Sequence, residues 1–308
     1  MAHLSAPRYV LGEITEPYDA VKGWRERAEA LQMAPVAELW GWGRIRRTER
    51  DTADLAVASG RATIAAAGVD PDDIDDLYLC STAFPTSIEA QADFAARVVR
   101  GLGLRRAAVT GISLGRCANL LLALRAAGAA VDSGQTRTAL VVTADRIEHE
   151  PDRIENFALF SDGAASCLVT ADERGEGFRI AAAAAAQDLA EGGRSGQISA
   201  DLAVAVNERL HRATGVAPGD IARVLHNNLY LPLVSLKEAQ AGFAPHQLHL
   251  DNITRFGHCF GADPLINLAD LADAGALRDG APYLLASSVP GIRAAVLLHR
   301  HAPTRTPQ

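Results

Sequence analysis

Three side chains in this sequence combine chemical reactivity with a suggestive position: Cys117, His226 and His258. Cys117 follows the turn Gly111-Ile-Ser-Leu-Gly115-Arg116 and opens the apolar, alanine-rich run 117–132. A helix starting there offers the sulfur unpaired N–H groups and the positive end of a dipole, which favours thiolate over thiol. Backbone N–H groups of the same turn can stabilise an oxyanion. Together these suit a thiol that carries a group as a thioester. The competing reading of Cys117 is a small buried core residue. Cys80, Cys167 and Cys259 fit that plainer reading, Cys80 and Cys167 because they lie inside apolar strands. His226 ends an apolar strand and precedes Asn227-Asn228, and His258 sits in a loop bounded by Gly257 and Gly261. A lone histidine is more often structural than catalytic, so the pair gains weight only if the fold brings both to Cys117.

Composition narrows the setting. The chain has 308 residues, 48% of them hydrophobic and 22% charged, enough for a sizeable core. A net charge of −7 argues against a nucleic-acid binder, with Arg44, Arg46, Arg47 and Arg50 as a local exception. No apolar run approaches the ~18 residues of a membrane span, and the N-terminus lacks the pattern of a secretory signal. The four cysteines are far apart, with no C-x-x-C, and no spacing of His, Cys, Asp and Glu fits a metal-ligand set. A cytoplasmic enzyme without a metal is expected.

The elements that must position these residues are written twice. Residues 53–74 (ADLAVASGRATIAAAGVDPDDI) and 200–221 (ADLAVAVNERLHRATGVAPGDI) share 12 of 22 positions at an offset of 147. Residues 123–134 and 269–280 keep nearly the same register. Each half reads as a helix, a G-V-x-P-x-D-I turn, a short strand, a second helix, a strand and turn, a buried helix, and closing apolar strands. The buried helices are expected at 117–132 and 263–276. The alternation predicts an α/β fold, layered with buried helices between two sheets. The halves are expected to span 1–172, carrying Cys117, and 173–308, carrying His226 and His258. Loops before the two buried helices should meet near a pseudo-twofold axis and form one shared cleft.

These segments resemble the ketoacyl-acyl-carrier-protein synthase III family of the thiolase superfamily, over residues 35 to 300. Cys117, the helix to Ser133 and Ala139-Leu140-Val141-Val142 follow the family's order. Phe160-Ser161-Asp162-Gly163-Ala164-Ala165 resembles its F-G-D-G-A segment, and His226-Asn227-Asn228-Leu229 its H-Q-A-N segment. The resemblance implies a thiolase fold, a layered αβαβα sandwich of two duplicated halves. It implies attack of Cys117 on an acyl-CoA or acyl-carrier-protein thioester, with His226 and a third residue assisting the second step. Trp40 and Arg44 are placed like residues that hold the CoA adenine, and Arg153 resembles a further arginine at the nucleotide. Phe84 resembles a phenylalanine that reaches across a dimer into the partner's acyl pocket. The family's habit also implies a homodimer, with no permanently bound cofactor, no nucleic acid and no membrane as partner.

Three departures bear on the reaction. Where the family has an asparagine in an H-G-N loop, Phe256-Gly257-His258 presents a histidine, a better general base for an alcohol or amine acceptor. Cys117 to His226 spans 109 residues, shorter than usual in the family, and the shortening falls near 186–200. The family's glycine-rich loop becomes Ser287-Ser288-Val289-Pro290-Gly291, where Gly291 can keep part of the oxyanion support. The leading expectation is an acyltransferase passing an acyl group to an O, N or carbon acceptor in specialised, polyketide or fatty-acid-related, metabolism. A decarboxylative 3-oxoacyl synthase and a non-catalytic partner subunit are the alternatives.

Overall fold

The computed structural model describes residues 1–172, 177–189 and 197–301. The duplicated segment becomes the helix α3 (Thr52–Ala67) in the first half. Two short helices, α1 (Trp24–Ala30) and α2 (Ala37–Trp40), precede it. Asp51 caps α3 by accepting the Asp54 N–H, and Gly68 ends it at φ +60°. A cap of this kind contributes about 1 kcal/mol. Then come α4 (Ile88–Leu102) and the buried α5 (Asn119–Asp132). The second half repeats the series with α6 (Ala200–Thr214), α7 (Leu231–Gln240), the short α8 (Asp251–Phe256) and the buried α9 (Asp263–Asp273). Ser199 caps α6 through the Asp201 N–H, and Gly215 ends it at φ +76°.

The strands repeat in step with the helices. The first half contributes β1 (His3–Leu11), β4 (Asp76–Cys80), β5 (Ala108–Ile112), β6 (Thr138–Asp145) and β7 (Gly163–Thr170). A separate two-stranded antiparallel sheet is formed by β2 (Ile14–Pro17) and β3 (Arg44–Arg47). The second half contributes β8 (Gly177–Gln187), β9 (Arg223–His226), β10 (Pro282–Val289) and β11 (Ile292–His301). Their order is β5-β4-β6-β7-β1-β8-β11-β10-β9. The two halves join where His3, Leu4 and Ser5 of β1 pair antiparallel with Arg179, Phe178 and Gly177 of β8. The strands β4, β5 and β6 run parallel, as do β9 and β10, and the remaining pairs are antiparallel.

The layers follow from which face each side chain takes. Along β6, Ala139 and Val141 join the central core, whereas Leu140 and Val142 join an outer core under α3 and α4. A strand covered on both faces reads as an unbroken apolar run, which is how 139–142 appears in the sequence. In the central core, Leu120, Leu121 and Leu124 of α5 meet Leu265, Ile266 and Leu268 of α9, with residues from both sets of strands around them. Each such buried leucine contributes about 1.5–3 kcal/mol. A third core, beneath α6, closes the other outer face. This is a thiolase fold, an αβαβα sandwich with α5 and α9 as its middle layer.

The first middle helix starts later than the sequence expectation, whereas the second starts at the expected Asp263. Cys117 lies in a 3-10 turn, Arg116–Ala118, and α5 proper begins at Asn119. A matching turn, Phe260–Ala262, precedes α9. Arg116 and Phe260 both hold φ at +52°, a conformation that side-chain-bearing residues adopt at a cost. The duplication therefore extends to strained backbone at the two points where the halves meet. Of the shortened segment expected near 186–200, residues 190–196 lie outside the described residues.

Candidate active site

Cys117 and His258 converge where the two 3-10 turns meet. The Cys117 thiol, 5% exposed, lies 3.3 Å from His258 Nε2. Its backbone is anchored from the second half: Ser287 Oγ donates to the Cys117 carbonyl at 2.9 Å, and the Arg116 guanidinium donates to the Pro290 carbonyl. His258 is fully buried, and its main chain extends a strand-like bridge to Phe160. The His258 N–H donates to Leu159 O at 2.8 Å, and its carbonyl accepts the Ser161 N–H at 2.9 Å. The rings of Phe160 and Phe260, at 4.8 and 6.0 Å, fix the imidazole plane.

On its far side, His258 Nδ1 is hydrogen-bonded to the Asp263 carboxylate. Asp263 is the first residue of α9 and fully buried, at the end of the helix where negative charge is favoured. It also accepts the Cys259 N–H at 2.8 Å and the Asn228 N–H at 2.6 Å. Burial alone would disfavour a charged His258. The Asp263 carboxylate and the Cys117 sulfur outweigh it and hold the imidazole's pKa up to about 10. The Cys117 thiol, the His258 imidazole and the Asp263 carboxylate thus form one continuous hydrogen-bonded array.

His226 is placed differently. Its Nδ1 lies 2.8 Å from the Asn227 carbonyl, and its Nε2 lies 3.3 Å from both Ser288 Oγ and Glu238 Oε1. Glu238, on α7, is in turn bound by Arg293 of β11 at 2.5 and 3.0 Å, with all three side chains buried. Although burial opposes its ionisation, Arg293 and His226 hold the Glu238 carboxyl down at about 2. Among the described hydrogen bonds, His258 is the histidine that reaches Cys117. Glu238 engages the His226 ring because a buried carboxylate needs every donor available.

Asp263, Glu238 and Arg293 escaped the sequence reading. Asp263 had a signal, since an acidic residue five positions after His258 opens the buried helix. Glu238 and Arg293 had none, being single charges within otherwise unremarkable segments.

The remaining expected residues lie in three places. Gly291, at φ +78°, is the second residue of the two-residue Pro290-Gly291 turn joining β10 to β11, a turn that calls for glycine there. Trp40, half-buried, stacks near Trp42 and Tyr230 and donates Nε1–H to Ala34 O at 2.7 Å, and Arg44 is exposed at the start of β3. Phe84 packs on Phe94 and lines a 470 Å³ cavity with Ser81 and Asp145. Arg153 is 3% exposed and directs its guanidinium inward, to Asp162 at 3.0 and 2.9 Å and to Glu150 at 2.9 Å. Among the described residues no group of three or more His, Cys, Asp or Glu is arranged to hold a metal, and no helix is long and apolar enough to cross a membrane.

Comparison with known proteins agrees with this architecture. The family model for 3-oxoacyl-acyl-carrier-protein synthase III matches residues 114–188, the stretch that carries Cys117 and α5. A β-ketoacyl-acyl-carrier-protein synthase III of Rhodospirillum rubrum is 34% identical over 174 residues, covering 55% of this chain and 49% of that protein. One from Roseiflexus castenholzii is 27% identical over 317 residues, covering 88% and 94%. Among solved structures, the acyltransferase ChlB3 superposes with a TM-score of 0.83 at 18% identity, covering 98% of each chain. A 3-oxoacyl-acyl-carrier-protein synthase III of Pseudomonas aeruginosa gives 0.78 at 20% identity, covering 99% of each. The repeated halves, the middle helices and the cysteine between them define a thiolase-fold protein. Within that class, the chain is similar to the ketoacyl-acyl-carrier-protein synthase III-like proteins.

Proposed function

We propose that this protein is an acyltransferase that forms a Cys117 acyl-thioester and passes the acyl group to an oxygen or nitrogen nucleophile. The observation that carries this reading is the placement of His258 between Cys117 and Asp263. The Cys117 proton moves to His258 Nε2, and the thiolate attacks the carbonyl carbon of an acyl-CoA or acyl-carrier-protein thioester. The tetrahedral intermediate collapses, breaking the donor's C–S bond, and His258 returns the proton to the departing thiol. An alcohol or amine then gives its proton to His258 as it attacks the acyl-enzyme. Cys117 leaves and is reprotonated. Asp263 stabilises the imidazolium in both halves of the cycle and fixes the Nδ1–H tautomer.

A carbon acceptor, generated by decarboxylation of a malonyl thioester, is the second reading. The engagement of His226 counts against it, because both ring nitrogens are already partnered, Nδ1 by the Asn227 carbonyl and Nε2 by Ser288 and Glu238. The array of His258 and Asp263 counts against a non-catalytic subunit. Phe84 is assigned to the partner protomer's acyl pocket, and Trp40 with Arg44 to the CoA end. A cytoplasmic homodimer is the proposed working form. The dimer reading is supported by β5 at the open edge of the strand order and by Leu114, 95% exposed just beyond it.

Intact mass after incubation with a panel of acyl-CoA and acyl-carrier thioesters tests the reading. An acyl-sized gain on the native protein that Cys117→Ala abolishes supports it. The same gain on the variant, or none on a folded native protein, would overturn it.

A further inference from the structure

The His226-Asn227-Asn228 segment does not send its histidine to the sulfur, yet its third residue grips the array. Asn228 is 2% exposed. Its backbone N–H donates to Asp263 Oδ2 at 2.6 Å, and its Nδ2 lies 3.3 Å from Asp263 Oδ1 and 2.9 Å from Gly257 O. Its Oδ1 accepts from Asn267 Nδ2 at 3.2 Å, which fixes the amide so that Nδ2 faces the carboxylate. Asn267 also donates to the His226 carbonyl at 2.9 Å. One residue therefore supplies a main-chain and a side-chain donor to the carboxylate that orients His258.

The two residues before it act as an anchor. Asn227 pairs with Ser288 in both directions, Nδ2 to Ser288 O at 3.1 Å and Ser288 N–H to Asn227 Oδ1 at 3.1 Å, fastening the end of β9 to β10. The His226 ring is fastened in turn by Glu238 and Ser288, and Arg293 donates to the same Ser288 hydroxyl at 2.9 Å. We propose that Asn228 is a positioning residue for the reaction: it holds the Asp263 carboxylate aimed at His258 Nδ1, with His226 and Asn227 as its mount. Donors of this kind fix a carboxylate's orientation, and a carboxylate so aimed supports the imidazolium that forms when His258 takes the Cys117 proton. The inference rests on the acyltransferase reading. Other charges around the array are Asp145, which acts on His258, and Asp162, Arg153 and Arg46, which act on neighbouring Cys259. All four stay unchanged in the test.

The test measures iodoacetamide alkylation of Cys117 against pH, located by peptide mass, together with single-turnover acylation. It compares the native protein with Asn228→Ala, Asn228→Ser and Asp263→Asn. Asn228→Ala is expected to move the alkylation midpoint to higher pH and slow acylation about tenfold at neutral pH, with KM for the thioester unchanged. Asn228→Ser, which restores a hydroxyl donor, should fall between Ala and native, and Asp263→Asn should exceed both. A folded Asn228→Ala with the native midpoint and rate overturns the inference. If that variant does not fold, a native profile in Asn228→Ser overturns it equally. Normal acylation of native Cys117 with no shift in any Asn228 variant removes the positioning role alone. A shifting midpoint in a protein that no thioester acylates removes the acyltransferase reading instead.

Discussion

His258 reaches the Cys117 sulfur at 3.3 Å across 141 residues of chain, and no other histidine of the described residues hydrogen-bonds that sulfur. The two come from the turns that open α5 and α9, so the reactive pair is built at the seam between the repeated halves. One histidine serving one thiol, backed by a carboxylate, separates the roles of the two histidines sharply enough to test them.

His258→Ala should slow acylation of Cys117 by about 10²–10⁴-fold, the usual worth of a positioned general base. His226→Ala should leave the single-turnover acylation rate within about threefold of native. Its cost belongs to stability instead, because Glu238 loses a buried partner, about 1–3 kcal/mol in urea unfolding. Equal losses of acylation in the two variants would contradict the division.

The raised pKa of His258 has a definite sign in stability. A histidine held at about 10 in the folded protein and near 6.5 when unfolded stabilises the fold fully below ~6.5. That contribution is lost progressively as pH rises from ~6.5 through 10. The melting temperature should therefore fall across this window, and the fall should flatten in Asp263→Asn. Calorimetry at constant ionic strength checks it.

Glu238 gives the opposite sign. Its carboxyl, held at about 2 against 4.5 ordinarily, contributes stability above ~4.5 that is lost as pH drops towards 2. Arg293→Met alone, which strands the carboxylate, should cost about 3–5 kcal/mol. The double variant Glu238→Leu with Arg293→Met should recover much of that loss, since removing both buried charges removes the unpaired one. Chemical denaturation of the three proteins reads the difference directly.

Malonyl thioester should not discharge the acyl-enzyme with release of CO2, whereas suitable alcohols or amines should discharge it. Trapping labelled CO2 alongside intact mass distinguishes the outcomes. Stoichiometric CO2 with a 3-oxoacyl product would favour the condensing reading.

Trp40→Ala should raise KM for an acyl-CoA several-fold while leaving that for the matching acyl-pantetheine near native. Loss of one exposed aromatic contact to a nucleotide is worth about 1 kcal/mol. An equal effect on both donors would place Trp40 elsewhere in the reaction.

The amino-acid sequence by itself determined the repeated series of elements, and the repeat is legible because capping and periodicity are local. Asp51 and Ser199 stand where helices must start, Gly68 and Gly215 where they must stop, and the apolar run Ala139–Val142 within β6 marks a strand covered on both faces. Local chemistry also marked Cys117 as the residue opening a buried helix. What only the tertiary structure decided was partnership. Arg153 turns inward because Asp162 is buried beside it, and His226 is partnered by Glu238, which Arg293 meets across 55 residues of chain. Asp263 becomes the third member of the array because α9 begins against His258. A side chain's direction at the end of a strand or loop depends on buried charges arriving from distant segments. Those charges must be paired once water is excluded, and no periodicity in the sequence records which of them will meet.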